Sequence, residues 1–188
     1  MINNHIFVIR NMRKVKLYIA SSIDGKIALP DGNIDWLNDF NNPDQDYGYK
    51  DFLDSVDITI MGNKTYQQVL SFGKEFPYRD KRNYVFTRNT GLIKDENVDF
   101  VSRDYLSFIH ALKNETGKDI WLIGGSKVNS FFLANNLIDE LILFIIPVLL
   151  GDGIPLFEKP GVLTEARLAG TKCYSNGVVE LKYNFNNA

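Results

Sequence analysis

The sequence predicts an α/β domain in which a mainly parallel sheet carries helices on both faces and ends in an antiparallel hairpin. Short apolar runs alternate with segments of helical spacing along most of the chain, and this alternation is typical of parallel sheets covered on both sides. The last two apolar runs flank Asn176-Gly177, a dipeptide that accepts the positive φ angles of a tight hairpin. A chain of 188 residues favours a single domain around one core.

The first half of the chain is predicted to alternate strands with helices. In chain order these are a strand at 15–21, a loop at 24–36, a helix at 46–56, a strand at 57–62, a helix at 63–72 and a strand at 83–87. Gly25, Pro30 and Gly32 punctuate the loop. The first helix is predicted because Phe52 and Val56, with their apolar neighbours, recur at helical spacing on one face.

The second half continues this alternation and then changes to antiparallel strands. In chain order it contains a strand at 98–102, a helix at 105–115, a strand at 119–123, a helix at 126–136, a long strand at 140–150 and hairpin strands at 167–175 and 178–185. Asp104 is predicted to cap the helix at 105–115, because its carboxylate can accept early helical N–H groups.

Composition and charge argue against several classes of function. The formal net charge is -2, so no basic excess favours nucleic acid or an anionic membrane surface as a partner. The longest apolar run, 141–150, contains Pro147 and is too short to cross a bilayer. Cys173 is the only cysteine, which excludes an intrachain disulfide and favours a reducing cytoplasm. His5 and His110 are isolated from each other, and we expect no metal site.

The N-terminus is expected to be a flexible extension. Residues 1–13 precede the first strand and lack the small-residue cleavage site of a secretory signal. Residues 14–188 are then expected to form the single domain.

Three strand ends suggest a binding site. They are "MGNKTY" (61–66), "FTRN" (86–89) and "IGGS" (123–126), each interpreted as a junction from a strand to a helix. In a parallel sheet such junctions lie at one edge, where open α/β folds bind ligands. Helix N-termini offer N–H groups and a positive dipole end to phosphate, and Lys64, Arg88 and Lys127 lie beside the junctions. The sequence therefore predicts a site for a ligand with several phosphates.

The adjacent glycines Gly124 and Gly125 have two possible explanations. Without a Cβ they let phosphates approach the backbone closely, or they serve a tight turn that requires small residues. Their segment lacks the last glycine of the Rossmann fingerprint, and "GNKTY" is not a Walker A loop. Neither standard nucleotide motif is therefore present.

Five segments carry a family resemblance: "YIASSIDGKIA", "IMGNKTY", "VFTRN", "IWLIGGSKV" and "PVLLGDGIPLF". In this order they resemble the dihydrofolate reductase-like superfamily, and most of all the reductase family typified by the C-terminal domain of the bifunctional riboflavin-pathway deaminase-reductase. The resemblance implies a three-layer fold with an eight-stranded sheet, NADPH as cofactor, and hydride transfer to a small heterocyclic substrate. The implied activity is that of a 5-amino-6-(5-phosphoribosylamino)uracil reductase. A dihydrofolate, pterin or other small-carbonyl reductase and a non-catalytic NADPH-binding protein remain alternatives.

The resemblance also implies which positions of this chain would hold NADPH. Backbone groups of Ala20 and Ile27 would bind the nicotinamide carboxamide. The pyrophosphate would lie on Gly62, Lys64 and Thr65, and the 2′-phosphate on Thr87 and Arg88. The residues that would cover the cofactor from the other side are Gly124, Gly125, Ser126, Lys127 and Val128. In this superfamily the peptide bond between the two glycines is commonly cis.

The substrate side matches the family less closely. Riboflavin-pathway reductases usually bind a substrate phosphate with two arginines. In the corresponding segments of this chain, the cations that could replace them are Lys50 and Arg79. Trp36, Phe52 and Phe76 are candidates to wall a planar substrate, although core packing is the commoner role of aromatic residues. In dihydrofolate reductases, one carboxylate on the helix that corresponds to residues 46–56 of this chain binds the pterin. The candidates for it are Asp46, Asp51 and Asp54.

Asp24 is the candidate catalytic residue. It is the nearest ionisable group to the expected nicotinamide, where a reductase must provide a proton. The alternative is that Asp24 and Gly25 form a turn, which is a common role for aspartate. The protein is also expected to be a homodimer, because the run "ELILFIIPVLL" is apolar on both faces for longer than one central strand needs.

Overall fold

The computed structural model describes residues 12–41, 44–73, 75–158, 161 and 163–185. Its strands are β1 (Val15–Ser22), β2 (Lys26–Ala28), β3 (Val56–Gly62), β4 (Arg82–Phe86), β5 (Asp99–Val101), β6 (Asp119–Gly124), β7 (Glu140–Ile146), β8 (Ile154–Pro155), β9 (Ala166–Cys173) and β10 (Val179–Phe185). Eight of them form one sheet in the order β5-β4-β3-β6-β1-β7-β10-β9, and β2 pairs with β8. β10 is antiparallel to β7 and β9, and the other pairs in the large sheet are parallel. The predicted fold class is confirmed.

Helices cover both faces of this sheet. They are α1 (Tyr49–Asp54), α2 (Asn63–Ser71), α3 (Tyr105–Asn114) and α4 (Ser126–Ala134), with a short 3-10 helix at Asp35–Phe40. Within the described ranges, no helix is long and apolar enough to span a bilayer.

The core forms on both faces because side chains along a strand alternate in direction. On β1, Val15 and Leu17 join the core cluster that contains residues of α3 and α4. Tyr18 and Ala20 point to the other face and pack in a cluster with residues of α1 and the 3-10 helix. The sheet therefore lies between two helical layers, as the resemblance implies.

The predicted strand at 140–150 is too long. β7 ends at Ile146, because Pro147 has no N–H to continue the ladder. β7 lies between β1 and β10, and its side chains pack into the core clusters of both faces. The apolar character of this run is therefore explained within one chain, and it no longer argues for a dimer.

The interpretation of "FTRN" as a junction from a strand to a helix is wrong. β4 continues through the turns of residues 87–98 into β5, and these turns are rich in Asn, Asp and Gly. Arg88 therefore follows a strand end without a helix N-terminus beside it in the chain.

Asp104 precedes α3 but does not cap it as predicted. Its backbone is left-handed, with φ 53°, and its side chain makes no capping hydrogen bond in the described structure. The early N–H groups of α3 are therefore not satisfied by this carboxylate.

The predicted N-terminal extension is too long, because Arg13 belongs to the folded domain. Arg13 is only 4% exposed, and its Nη2 donates to Oδ2 of Asp57 at 3.0 Å and to the carbonyl oxygen of Thr116 at 2.8 Å. Residues 1–11, which make up most of that prediction, lie outside the described residues.

Candidate active site

Two strand-to-helix junctions meet at the carboxyl edge of the sheet. β3 and β6 are neighbours, with Met61 opposite Gly124, so α2 and α4 begin side by side. A Cβ built on Gly62 would lie 3.1 Å from Cγ2 of Val128, and one on Gly125 would lie 3.2 Å from Oγ1 of Thr65. The two helix starts thus lie against each other at glycine positions on the carboxyl edge, which is where an open α/β sheet has its ligand-binding crevice.

The starts of both helices retain polar groups for a ligand. Neither α2 nor α4 receives a side-chain cap from the described residues, because Gly62 and Gly125 occupy the cap positions. Their first N–H groups and dipoles therefore favour an anion. The buried Oδ1 of Asn63 and Oγ of Ser126 also have no hydrogen-bond partner in the described structure. Buried polar atoms without a partner are rare and costly, and these two lie at the helix starts that border the crevice.

Gly124 and Gly125 are glycines for different reasons. Gly124 has φ +112°, and a Cβ there would lie 2.9 Å from Oδ1 of Asn129, so both the backbone and a buried neighbour require glycine. Gly125 has φ −77°, which any residue can adopt, and its nearest obstacle is the Thr65 side chain. The peptide bond between them is cis, as the resemblance implies. The backbone angle therefore does not require glycine at 125, and the contact with Thr65 is the one constraint that the described residues place on a Cβ there.

The cations predicted to bind phosphate lie around this edge. Lys64 and Lys127 are exposed in the first turns of α2 and α4, and Arg88 is exposed two residues beyond β4. Thr87 fixes the backbone before Arg88, because its N–H donates to Val101 and its carbonyl accepts from the hydroxyl of Tyr105. Since β4 is parallel to β3 and next to it in the sheet, the Arg88 loop lies at the same carboxyl edge.

Asp24 anchors a loop in the structure. Its carboxylate accepts hydrogen bonds from the N–H groups of Leu150 and Gly151 and from the hydroxyl of Ser22. These bonds, with that from Leu150 the strongest contributor, hold the pKa of Asp24 below its usual value. An ionised acceptor with three donors is a poor proton donor, so the geometry favours the turn-forming alternative over the catalytic role.

The loop at Asp24 belongs to a larger unit that the five motifs do not reveal. Residues 148–158, which we call the strap, run across the β1–β2 loop. The strap also contains β8, whose partner β2 carries the half-buried Ile27. The first and last motifs of the family resemblance, "YIASSIDGKIA" and "PVLLGDGIPLF", therefore form one structural unit.

We expect Gly153→Ala to disrupt this unit. A Cβ at Gly153 would lie 2.4 Å from the carbonyl oxygen of Ala28, and overpacking against backbone typically lowers the free energy of unfolding by about 1–3 kcal/mol. Urea denaturation measures the loss. The control is Gly170→Ala, because a Cβ there meets nothing within 4 Å. Equal stability of the two variants would contradict the packing of the strap on β2.

The face beside Ala20 is aromatic. Tyr18 stacks on Phe52 with ring centroids 4.3 Å apart, and Phe52 meets Trp121 edge-on. Burial raises the pKa of Tyr18, Tyr49 and Tyr78, so these phenols stay neutral near pH 7. This aromatic cluster is therefore uncharged; Phe52 and Trp121 are buried in it, and Tyr18 is half-buried. Trp36 packs partly against the same cluster, and its buried Nε1 has no partner among the described residues.

A family model described as the RibD C-terminal domain matches residues 13–180. The chain belongs to the RibD C-terminal domain family. Two uncharacterized proteins of Bacillus subtilis (strain 168) are similar to it. YwjB is 45% identical over 88% of this chain and 95% of its own length, and YyaP is 31% identical over 93% and 96%.

Solved structures agree with this RibD C-terminal domain assignment. A putative riboflavin biosynthesis protein from Shewanella sp. PV-4 has a TM-score of 0.83 at 28% identity, covering 93% of this chain and 99% of that one. A diaminohydroxyphosphoribosylaminopyrimidine deaminase/5-amino-6-(5-phosphoribosylamino)uracil reductase from Thermotoga maritima has a TM-score of 0.70 at 19% identity. This chain covers 57% of that longer protein, and at such identity the likeness shows the fold alone.

Two predicted substrate contacts of this RibD C-terminal domain lie away from the crevice. Phe76 is 5% exposed and packs edge-on against Tyr66, so it is a core aromatic and not a wall of an open site. Arg79 lies in a hollow of about 360 Å³ at the amino end of β4 and pairs there with Glu75 and Glu96. Since ligands bind at the carboxyl end of parallel strands, Arg79 does not replace a substrate-binding arginine.

The candidates on and before α1 differ in their surroundings. Lys50 and Asp54 are exposed. Asp46 accepts from the N–H groups of Gly48 and Lys50, and these bonds, led by that from Gly48, lower its pKa. Phe52 and Asp51 border a cleft of about 500 Å³ between α1 and the C-terminal hairpin. Of the predicted substrate residues, Trp36 alone combines partial exposure with an unpaired polar atom in the described structure.

Two residues of the site escaped prediction from the sequence. Asn63 and Asn129 are polar residues within helical segments, where a surface position is the ordinary expectation. Asn129 is in fact completely buried. The only sequence signal was its place five residues after Gly124, on the face of α4 that includes Ser126 and Phe132.

Proposed function

We propose that this protein is an NADPH-dependent reductase of a small heterocyclic compound. The observation that carries the proposal is the meeting of two uncapped helix starts at Gly62 and Gly125. Membership of the RibD C-terminal domain family supports a reductase. The name of the Thermotoga maritima neighbour gives the activity to test first, that of a 5-amino-6-(5-phosphoribosylamino)uracil reductase.

The residues around the crevice fit a dinucleotide phosphate. We assign the pyrophosphate to the N–H groups at the starts of α2 and α4, with Lys64 and Lys127 beside it, and the 2′-phosphate to Thr87 and Arg88. The unpaired Oγ of Ser126 can donate to a phosphate oxygen. Further residues in this proposal are Ala20 and Ile27 at the nicotinamide, and Gly62, Thr65, Gly124, Gly125 and Val128 around the phosphates.

The protein's own contribution is orientation and exclusion of water. NADPH supplies the hydride when it is bound. The β1–β2 loop, held by Asp24, connects the strands that carry Ala20 and Ile27, and the half-buried Tyr18 adds an uncharged side chain on the face of β1 that carries Ala20. Because Asp24 is an ionised acceptor, we assign the proton to water.

A second candidate is a reductase of a pterin or another carbonyl compound without a phosphate. Two observations favour it. Arg79 pairs with carboxylates at the amino edge of the sheet, opposite the proposed site, and the aromatic cluster beside Ala20 consists of neutral side chains. Loss of NADPH absorbance decides between the candidates when 5-amino-6-(5-phosphoribosylamino)uracil, its dephosphorylated form and dihydrofolate are compared. Turnover of the phosphorylated compound alone supports the first candidate, and turnover of either other compound supports the second. Binding of NADPH without any turnover would indicate a non-catalytic protein.

Arg88→Ala is expected to weaken NADPH binding and to spare NADH. A guanidinium can make paired, charge-assisted bonds to the 2′-phosphate that NADH lacks, so the loss should be about 1.5–3 kcal/mol. Calorimetric titration of both cofactors measures it. Arg167→Ala, at an exposed position on β9 at the far end of the sheet, is the matched control. Equal affinities of the wild type for NADPH and NADH would contradict this role of Arg88.

We also expect a homodimer, now on account of the sheet edge and not of β7. β9 is an edge strand of eight residues, almost all of them exposed, and Leu168 on it is 52% exposed. Exposed edges of this kind favour pairing with another chain. Light scattering should give about twice the monomer mass. A monomer at micromolar concentration would contradict the expectation.

A further inference from the structure

The strap at 148–158 bridges the two sides of the proposed cofactor crevice. On one side it holds the β1–β2 loop. The N–H of Ile23 donates to Val148, Asp24 accepts from the strap at Leu150 and Gly151, and the N–H of Leu156 donates to Gly25 at 2.9 Å. These contacts join the strap to the loop that lies beside the proposed nicotinamide position.

On the other side the strap is held by α4. Nδ2 of Asn129 donates to the carbonyl oxygen of Leu156 at 3.1 Å. Oγ of Ser130 accepts from the N–H of Glu158 at 2.6 Å. Leu156 therefore bonds to the β1–β2 loop through its N–H and to α4 through its carbonyl.

Asn129 also packs against the glycine junction. It is completely buried, and its Oδ1 occupies the space that a side chain at Gly124 would need. One side chain thus bonds to the strap through Nδ2 and packs against Gly124 at the end of β6 through Oδ1, which has no hydrogen-bond partner among the described residues. A buried side chain that bonds to one segment and packs against another restricts both of them more than a surface contact would.

We propose that Asn129 is a positioning residue that couples the β1–β2 loop to the start of α4 through the strap. The coupling itself is a property of the free protein. Its use, which rests on the proposed function, is to hold the nicotinamide and pyrophosphate ends of the crevice in one arrangement. Asp24 and Asn129 then hold the strap from its two sides, although nothing in the sequence motifs or their spacing relates these two residues.

Amide hydrogen exchange of the free protein tests the coupling. In Asn129→Leu, which keeps the branched shape and the number of heavy atoms of the side chain and removes the bond, we expect the amides of Ile23, Gly25 and Lys26 to exchange roughly 5- to 100-fold faster, the range for leaving a buried carbonyl unpaired. Core amides of α3, such as that of Ile109, should be unchanged. Asn135→Ala is the matched control, because this exposed asparagine bonds only within α4 among the described residues, through Phe131.

Two outcomes would overturn the proposal. Faster exchange of the strap with unchanged exchange at Ile23 to Lys26 would show that the strap does not transmit the loss. Equal acceleration of all amides, including those of α3, would show a purely structural role. If Asn129→Leu does not fold, Ser130→Ala tests the other bond between the strap and α4, because it removes the acceptor for the N–H of Glu158 together with a bond within α4 to the carbonyl of Ser126.

NADPH titration separates this inference from the proposed function. Asn129→Leu should bind NADPH at least about tenfold more weakly than the wild type, on the scale of a lost positioning contact, and Asn135→Ala should bind it equally well. Unchanged NADPH affinity in Asn129→Leu would contradict the use of the coupling. If the wild type does not bind NADPH, the proposed function fails, and the exchange experiment still decides whether the loop and the helix are coupled.

Discussion

Gly125→Val is expected to abolish NADPH binding and to leave the protein folded. The backbone of Gly125, with φ −77°, accepts any side chain. Its only close neighbour is the hydroxyl of Thr65, which can rotate away. The added methyl groups would occupy the crevice where the phosphates approach the backbone. Calorimetric titration with NADPH measures binding, and thermal unfolding measures stability.

The control for this variant is Gly170→Val, because Gly170 lies in β9 with nothing within 4 Å of a built Cβ and valine suits a strand. Gly124→Ala gives a contrast, since φ +112° and Oδ1 of Asn129 both oppose a side chain. It should destabilise the protein as well as weaken binding. A Gly125→Val protein that unfolds, or that binds NADPH like the wild type, would contradict our explanation of the two glycines.

Asp24→Asn is expected to lower kcat by about 100-fold or more, the scale of a misplacement of about 1 Å at a reacting centre. The amide can accept from only one of the two strap N–H groups and turns its own NH₂ toward the other. The β1–β2 loop then loses its anchor. Steady-state kinetics on whichever substrate the panel identifies measures the loss, and NADPH affinity should change much less than kcat.

The pH dependence of kcat distinguishes positioning from acid catalysis in this variant. A lowered pKa keeps Asp24 ionised throughout the neutral range. Replacing it should therefore lower kcat by about the same factor at every pH and leave the shape of the pH profile unchanged. Loss of a limb of the profile between about pH 5 and 9 would instead identify Asp24 as the general acid. A variant with the kcat of the wild type would contradict both roles.

The sequence predicted the fold well because most of its signals are local. Strand and helix periodicity and the hairpin at Asn176-Gly177 depend on neighbouring residues, and each predicted strand and helix has a counterpart in the structure. The structure adds β2 and the start of the 3-10 helix within the predicted loop at 24–36, and it adds β8. The glycines at 62, 124 and 125 also marked the meeting of α2 and α4 correctly. The residues that follow parallel strands could be expected near one another from chain order alone, because the carboxyl ends of such strands share one edge of the sheet.

The predictions that failed depend on long-range geometry. Arg79 and Phe76 follow α2, and only the direction of that helix reveals that the chain has then returned to the amino edge of the sheet. The segment after Thr87 resembles a helix start until its turns are seen to lead into β5. Asn129 is polar, and its burial becomes visible only when the strap packs against α4. Sequence patterns do not record such contacts between distant segments.

The central claim is that NADPH binds at the meeting of α2 and α4, and a crystal structure of the protein with NADPH tests it most directly. We predict that the pyrophosphate lies within hydrogen-bond distance of the N–H groups that follow Gly62 and Gly125. The 2′-phosphate should contact Arg88, and the carboxamide the backbone of Ala20 and Ile27. A cofactor bound elsewhere, such as in the cleft between α1 and the C-terminal hairpin, or a crystal saturated with NADPH whose crevice stays empty, would contradict the claim.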